Sequence, residues 1–283
     1  MPDSVDNKNA KIGSQLIGTQ VAGGVTMTAD NIFYHATKRN IPRRLTGLPS
    51  VQADEVIGRE NDLERLTREL RTKSAVALVR GMGGVGKTTL ATAYLRYRRR
   101  ETDGPLAHVA WVTQTIDFAT SLLAERGLLE ATQVQLTDNP VADAQQLLRN
   151  LSNFAGPSLL VIDNAEADFD DFVPHLPGAP NWTVLVTARQ RVKQLPLVEL
   201  ENLSEAAAVR LFRKHYTLTK DTELVNQIVR DVGRHALTVE LLAKTAQARE
   251  IPLDRFYATI QEKGLQIGRR IDDVELSHDK DGQ

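Results

Sequence analysis

The sequence has no cysteine, which excludes disulfides and thiolate metal sites. It has almost no net charge, because 35 Lys and Arg stand against 36 Asp and Glu. No global field therefore selects nucleic acid or a membrane surface as partner. No apolar run is long enough to be a membrane span. Met1 to Gly13 lacks the apolar core of a signal peptide. A cytoplasmic protein with no specific nucleic-acid partner is the expectation. Between Ile12 and Ala29 there is neither charge nor proline. The overall composition, 41% hydrophobic and 25% charged, is ordinary for a globular chain. Its 283 residues leave room for one large or two modest domains.

One stretch organises the rest. Gly81-Met82-Gly83-Gly84-Val85-Gly86-Lys87-Thr88 satisfies the pattern Gly, four residues, Gly-Lys-Thr. Apolar Ala75 to Val79 leads into it as a strand, and Thr89 to Leu95 leads out as a helix. Gly81, Gly83, Gly84, Val85 and Gly86 let the backbone wrap a phosphate and aim N–H groups at it. The helix N-terminus that carries Thr89 adds partial positive charge. In this pattern Lys87 reaches the β- and γ-phosphates and Thr88 offers its hydroxyl to Mg²⁺.

Four short apolar runs, Ala75–Val79, His108–Val112, Ser158–Ile162 and Thr183–Val186, alternate with helical patterns such as Ala119–Gly127 and Val141–Phe154. That is the habit of a parallel sheet covered by helices on both faces. Two of the runs end in polar residues. Asp163 closes the third, where a carboxylate holds Mg²⁺ beside the loop threonine or else caps the next helix. Asn164 follows it and cannot accept a proton, which leaves Glu166 as the candidate base and points to slow hydrolysis. Arg189 follows the fourth run, at the strand edge where such sheets bind ligands. There it contacts a γ-phosphate or pairs with a surface carboxylate.

Around this α/β core the chain divides into four parts. Residues 1–52 form an N-terminal segment. Its first residues are polar and read as disordered, and Ile12-Gly13-Ser14-Gln15 recurs as Ile17-Gly18-Thr19-Gln20. Uncharged, β-branched, glutamine-bearing and proline-free, the stretch reads as a cross-β stacking segment, a flexible linker or an edge hairpin. Asp30 to Gln52, with Lys38, Arg39, Arg43 and Arg44, reads as an irregular basic linker. Residues 53–200 hold the phosphate-loop domain, opening with Val56 to Glu60 and a helix carrying Leu63, Leu66 and Leu70 on one face. Residues 201–265 read as four helices, Ser204–Tyr216, Asp221–Val232, Ala236–Arg249 and Leu253–Lys263. Residues 266–283 form a charged tail. His235 reads as a packing or capping residue.

These motifs, in this order, resemble the nucleotide-binding module of STAND NTPases of the NB-ARC class. Val56-Ile57-Gly58-Arg59-Glu60 is similar to the family's opening motif, which implies that Ile57 and Arg59 lie beside the nucleotide. Leu159 to Glu166 resembles its Walker B and Val184 to Arg189 its sensor 1. Val232-Gly233-Arg234-His235-Ala236-Leu237 resembles its Gly-x-Pro-Leu helix, with Ala236 in place of the proline that packs near adenine. The resemblance covers residues 53–265. It implies an ATP- or ADP-bound, Mg²⁺-dependent switch that forms homo-oligomers. Residues 12–34 resemble short amyloid signalling motifs of bacterial and fungal NLR-like proteins. That implies an effector partner with a matching N- or C-terminal motif, serving cell death or defence.

Other classes carry the same loop. A transcriptional regulator of the STAND type would add a DNA-binding element, and no helix-turn-helix pattern or basic face is evident. A ParA/MinD-type ATPase places a signature lysine where this chain has Met82. A small-molecule kinase would need an arginine-bearing lid and an acceptor pocket.

Overall fold

The structure, a computed structural model, describes residues 25–28, 31–34, 41–49, 56–72, 75–101, 104–192, 194–218 and 221–263. The chain divides into two units, 1–41 and 42–283. In the first, β1 (Val25–Thr28) and β2 (Asn31–Tyr34) pair antiparallel, Val25 opposite Tyr34 and Thr28 opposite Asn31. The tandem Ile-Gly-x-Gln repeat and the charged tail lie outside the described residues.

The second unit holds one six-stranded sheet: β3 (Arg43–Arg44), β4 (Val76–Arg80), β5 (His108–Thr113), β6 (Ser158–Ala165), β7 (Trp182–Ala188) and β8 (Leu197–Glu199). Its spatial order is β3-β5-β6-β7-β4-β8 and every pair is parallel. The near-continuous apolar runs predict this, because a parallel sheet is buried on both faces. Side chains alternate between faces. Ala110, Val112, Leu160, Ile162, Val184 and Val186 pack on one face. Val109, Trp111, Leu159, Val161 and Leu185 pack on the other.

Helices cover both faces, as the sequence predicts. α1 (Glu60–Thr72) and α2 (Lys87–Arg100) bury Leu66, Leu70, Leu90 and Tyr94 against the second set. α3 (Phe118–Leu123), α4 (Arg126–Thr132), α5 (Pro140–Leu151) and a 3₁₀ helix, Ala167–His175, bury Phe118, Leu128, Leu147 and Phe169 against the first. Each fully buried Leu or Phe contributes about 1.5–3 kcal/mol. A separate helical core follows. α6 (Glu205–His215), α7 (Thr222–Asp231), α8 (Ala236–Ala248) and α9 (Leu253–Lys263) enclose Phe212, Val225, Ile228, Val239, Leu242 and Phe256.

Among the described residues, N-caps fix four of the nine α-helix starts. Asp117, Asn139, Ser204 and Asp221 each accept a backbone N–H with the side chain, worth about 1 kcal/mol apiece. Among the described caps of the helical core, His235, which precedes α8, makes no such bond.

Three local differences from the sequence reading have physical causes. Arg43 and Arg44, read as linker, form edge strand β3, and neighbouring Leu45 is buried in the core. Two residues carry no readable period, so only pairing with β5 defines them. β8 is three residues long and equally short of a pattern. The helix read across Ala119–Gly127 breaks at Ala124-Glu125 and restarts as α4. Gly127 there comes so close to the Leu45 carbonyl that an added Cβ would sit 2.3 Å from it, a backbone approach only glycine allows.

Candidate functional site

The sheet order places the site. β4 lies between β7 and β8, and the chain leaves it across β7 and β6 to reach β5. The crevice at such a reversal, at the C-terminal strand ends, is where open α/β sheets bind ligands. The loop Gly81–Gly86 occupies it. Gly86 adopts φ +107° just before α2, and Gly84 adopts φ +71°, conformations that favour glycine.

Every carbonyl from Gly81 to Val85 has a donor. Lys87 Nζ donates to Gly81 O at 3.0 Å and Met82 O at 2.9 Å. His235 Nε2 lies 2.8 Å from Gly83 O. Leu237 N–H donates to Gly84 O at 3.1 Å. Arg59 Nη2 donates to Val85 O at 2.6 Å, with its other arm on Asp62 at 3.1 Å. Across a planar peptide, C=O and the following N–H point opposite ways. Holding the Gly83, Gly84 and Val85 carbonyls on His235, Leu237 and Arg59 therefore turns the N–H groups of Gly84, Val85 and Gly86 the other way, the arrangement that receives an anion.

Lys87 is buried while Thr88 and Thr89 are exposed at the start of α2. Burial lowers the Lys87 pKa, reinforced by Arg189 and opposed by Asp163. Asp163, buried at the end of β6, accepts from the Thr88 hydroxyl at 3.0 Å through either oxygen. It also accepts from Thr187 Oγ1 at 2.6 Å. A hydroxyl and a carboxylate are the hard oxygen donors that suit Mg²⁺, which binds through few protein ligands plus water and phosphate oxygens. The residues present therefore fit that ion.

The remaining candidates divide. Arg189 is exposed at the end of β7, and its guanidinium lies 3.8–3.9 Å from where a Gly83 Cβ would be, so it reaches the loop. Arg59 is buried beneath the loop. Ile57 is half-buried in the turn before Arg59. Asn164 sits at φ +60°, in an irregularity of the β6–β7 pairing, and its Nδ2 donates to Gln114 O at 3.2 Å. Glu166 is exposed, and its backbone N–H donates to Gln114 Oε1 at 3.0 Å.

Sequence reading missed three participants. Gln114, 2% exposed, bonds Glu166 and Asp168 and fixes the segment after Asp163. Thr187 bridges Asp163 and the Asn164 N–H. His235 reaches the loop from α8. For Thr187 and Gln114 the available signal was position, a polar residue closing an apolar strand.

Fold and site together define a P-loop NTPase. The NB-ARC domain family matches residues 59–221, more than half of the chain, and the chain belongs to that family. It is 30% identical over 178 residues to the transcription activator GutR of Bacillus subtilis, covering 58% of this chain and 20% of GutR. It is 31% identical over 188 residues to the regulatory protein AfsR of Streptomyces griseus, covering 62% and 19%. It is 30% identical over 149 residues to the disease resistance protein RPP8 of Arabidopsis thaliana, covering 50% and 16%. The chain thus spans about a fifth of the length of these curated relatives. Among solved structures, the Walker-type ATPase PABY2304 of Pyrococcus abyssi superposes with TM-score 0.52 at 13% identity, covering 80% of this chain and 77% of that one. Drosophila ORC bound to DNA gives 0.53 at 14%, covering 90% and 74%. At such identity these two show the fold alone. Among the described residues, no helix is long and apolar enough to cross a membrane.

Proposed function

We propose that this chain is the nucleotide switch of a STAND-type signalling protein, binding ATP or ADP with Mg²⁺ and assembling with copies of itself. The observation that carries the reading is the triangle of Lys87, Thr88 and Asp163 at the mouth of a loop whose Gly83, Gly84 and Val85 carbonyls are held by His235, Leu237 and Arg59. Lys87 is positioned to exchange its bonds to Gly81 and Met82 for phosphate oxygens. Thr88 and Asp163 would hold Mg²⁺, which when bound neutralises phosphate charge. Arg189 is close enough to the loop to contact a terminal phosphate.

Slow hydrolysis fits this site. Asn164 commits its amide to Gln114, and Glu166 turns into solvent. A switch acts through different affinities for two states rather than through fast turnover. The helical core contacts the loop directly, so nucleotide state and helical-core position are coupled.

Residues 1–52 supply the output in this reading. Assembly would raise the local concentration of the uncharged N-terminal segment. Stacking there would pass the signal to an effector carrying a matching motif, in a cell-death or defence pathway. The hairpin pairing of β1 with β2 supports β-structure in that segment.

A second reading is transcriptional regulation. It is favoured by the likeness to GutR, named a transcription activator, and AfsR, named a regulatory protein. The matched region is the switch in both readings, and only the output differs. Light scattering of the purified chain in MgADP and in MgATP tests the switch. Larger assemblies in ATP support it; the same mass in both nucleotides refutes it.

A further inference from the structure

The start of α8 docks on the phosphate loop in an unusual way. Helices expose backbone N–H groups in their first turn that need acceptors. Four other helix starts in this chain satisfy one of them with their own N-cap side chain. α8 does not. Its Leu237 N–H donates to the Gly84 carbonyl, and its N-cap residue His235 turns its ring to the Gly83 carbonyl, 2.8 Å away. The loop thus caps the helix, and the helix holds the loop. The fit leaves no slack: a Cβ on Gly84 would lie 2.8 Å from both His235 Cε1 and Leu237 Cβ.

The chemistry of the ring fixes the direction of the bond. A carbonyl only accepts, so Nε2 must carry the proton. The other nitrogen, Nδ1, lies 2.9 Å from Thr238 Oγ1. A Thr238 hydroxyl donating to Nδ1 selects the Nε2–H tautomer, which is the one that bonds Gly83. The bond has a second consequence across the peptide plane. Holding Gly83 O toward α8 turns the Gly84 N–H the other way, into the loop. His235 is the one side chain from the helical core among the described donors to the loop carbonyls.

We propose that His235 is a positioning residue for phosphate binding, which sets the Gly83–Gly84 peptide so that the Gly84 N–H faces the nucleotide. This rests on the nucleotide-binding reading above and adds the device that couples the helical core to it. Because coupling is reciprocal, phosphate on the loop also tightens the seat of α8. A change that lifts α8 from the loop frees the peptide and lowers nucleotide affinity.

The test is calorimetric titration of the whole chain with MgADP, together with thermal melting of each ligand-free variant. His235→Ala weakens binding about tenfold, the scale of one lost hydrogen bond. His235→Gln keeps an N–H donor and stays within about threefold of the parent. His235→Leu, which fills similar space without a donor, follows alanine and replaces it where the smaller side chain unfolds the chain. A donor-less variant that binds as tightly as the parent overturns the proposal and leaves the nucleotide reading standing. So does a glutamine variant as weak as alanine with an unchanged melting temperature. If the folded parent itself binds no MgADP, both fall.

Discussion

The hydroxyl of Thr88 sits 3.0 Å from both carboxylate oxygens of Asp163, although 75 positions separate them in the chain. The sheet creates this meeting: β7 pairs with both β4 and β6, and aligns their C-terminal ends. Thr88 lies in the first turn of α2 and Asp163 near the end of β6, and in the proposed switch the two would hold Mg²⁺. Asp163→Ala removes a charged oxygen and leaves the Thr88 and Thr187 hydroxyls without their acceptor. We expect it to weaken MgATP binding by at least tenfold while weakening metal-free ATP binding much less. Titrations with Mg²⁺ and with EDTA measure the difference.

Gly84→Ala makes a sharper claim about the loop. Its φ of +71° is strained for any side chain, and its added methyl would meet His235 and Leu237 at 2.8 Å. Left-handed backbone costs about 1–2 kcal/mol for alanine, and overpacking adds about 1–3. Nucleotide affinity should fall by more than tenfold, because the loop and α8 cannot both keep their places. Fluorescent-nucleotide titration checks it.

The Gly58 turn ties the two cores together elsewhere. At φ +74°, an added Cβ would fall 2.2 Å from the Ala207 Cβ in α6. Gly58→Ala is expected to cost about 2–5 kcal/mol by the same two terms. Denaturant unfolding of the whole chain reads this directly, and a change below 0.5 kcal/mol would contradict the packing.

How far the site can be read in sequence follows from chain distance. Lys87, Thr88 and the loop glycines are legible because their spacing is the chemistry. Asp163 and Arg189 are legible because apolar strands end in them. The bounds of α6 to α9 follow from helical period and caps. His235 is not legible, because its partner Gly83 lies 152 positions away and the local signal is only a polar residue before a helix. Gln114 is marked by its place after an apolar strand, but its bond to Glu166, 52 positions off, is hidden in the same way. β3 fails for a different reason: Arg43 and Arg44 are polar and exposed, and are a strand only because β5 is beside them.

Lys87 predicts a pH dependence. Burial, with Arg189 adding to it, holds its pKa below the ordinary 10.5, with Asp163 opposing. In the ligand-free chain the charged form is thus disfavoured relative to the unfolded state. That cost is present below the folded pKa and is relieved as pH rises through it. Binding has the opposite sign, because phosphate requires the protonated amine. Affinity for MgADP should therefore fall as pH rises through the lowered pKa, earlier than an ordinary lysine would allow. Calorimetry across neutral to alkaline pH, with Lys87→Arg as the variant that stays charged, measures it.

Nucleotide binding at the Gly81–Thr88 loop is tested most directly by titrating the whole chain with MgADP and MgATP, against Lys87→Ala. A nucleotide-binding loop predicts saturable one-to-one binding by the parent and a loss of at least a hundredfold in the variant. Equal binding by both chains, or none by the folded parent, would contradict it.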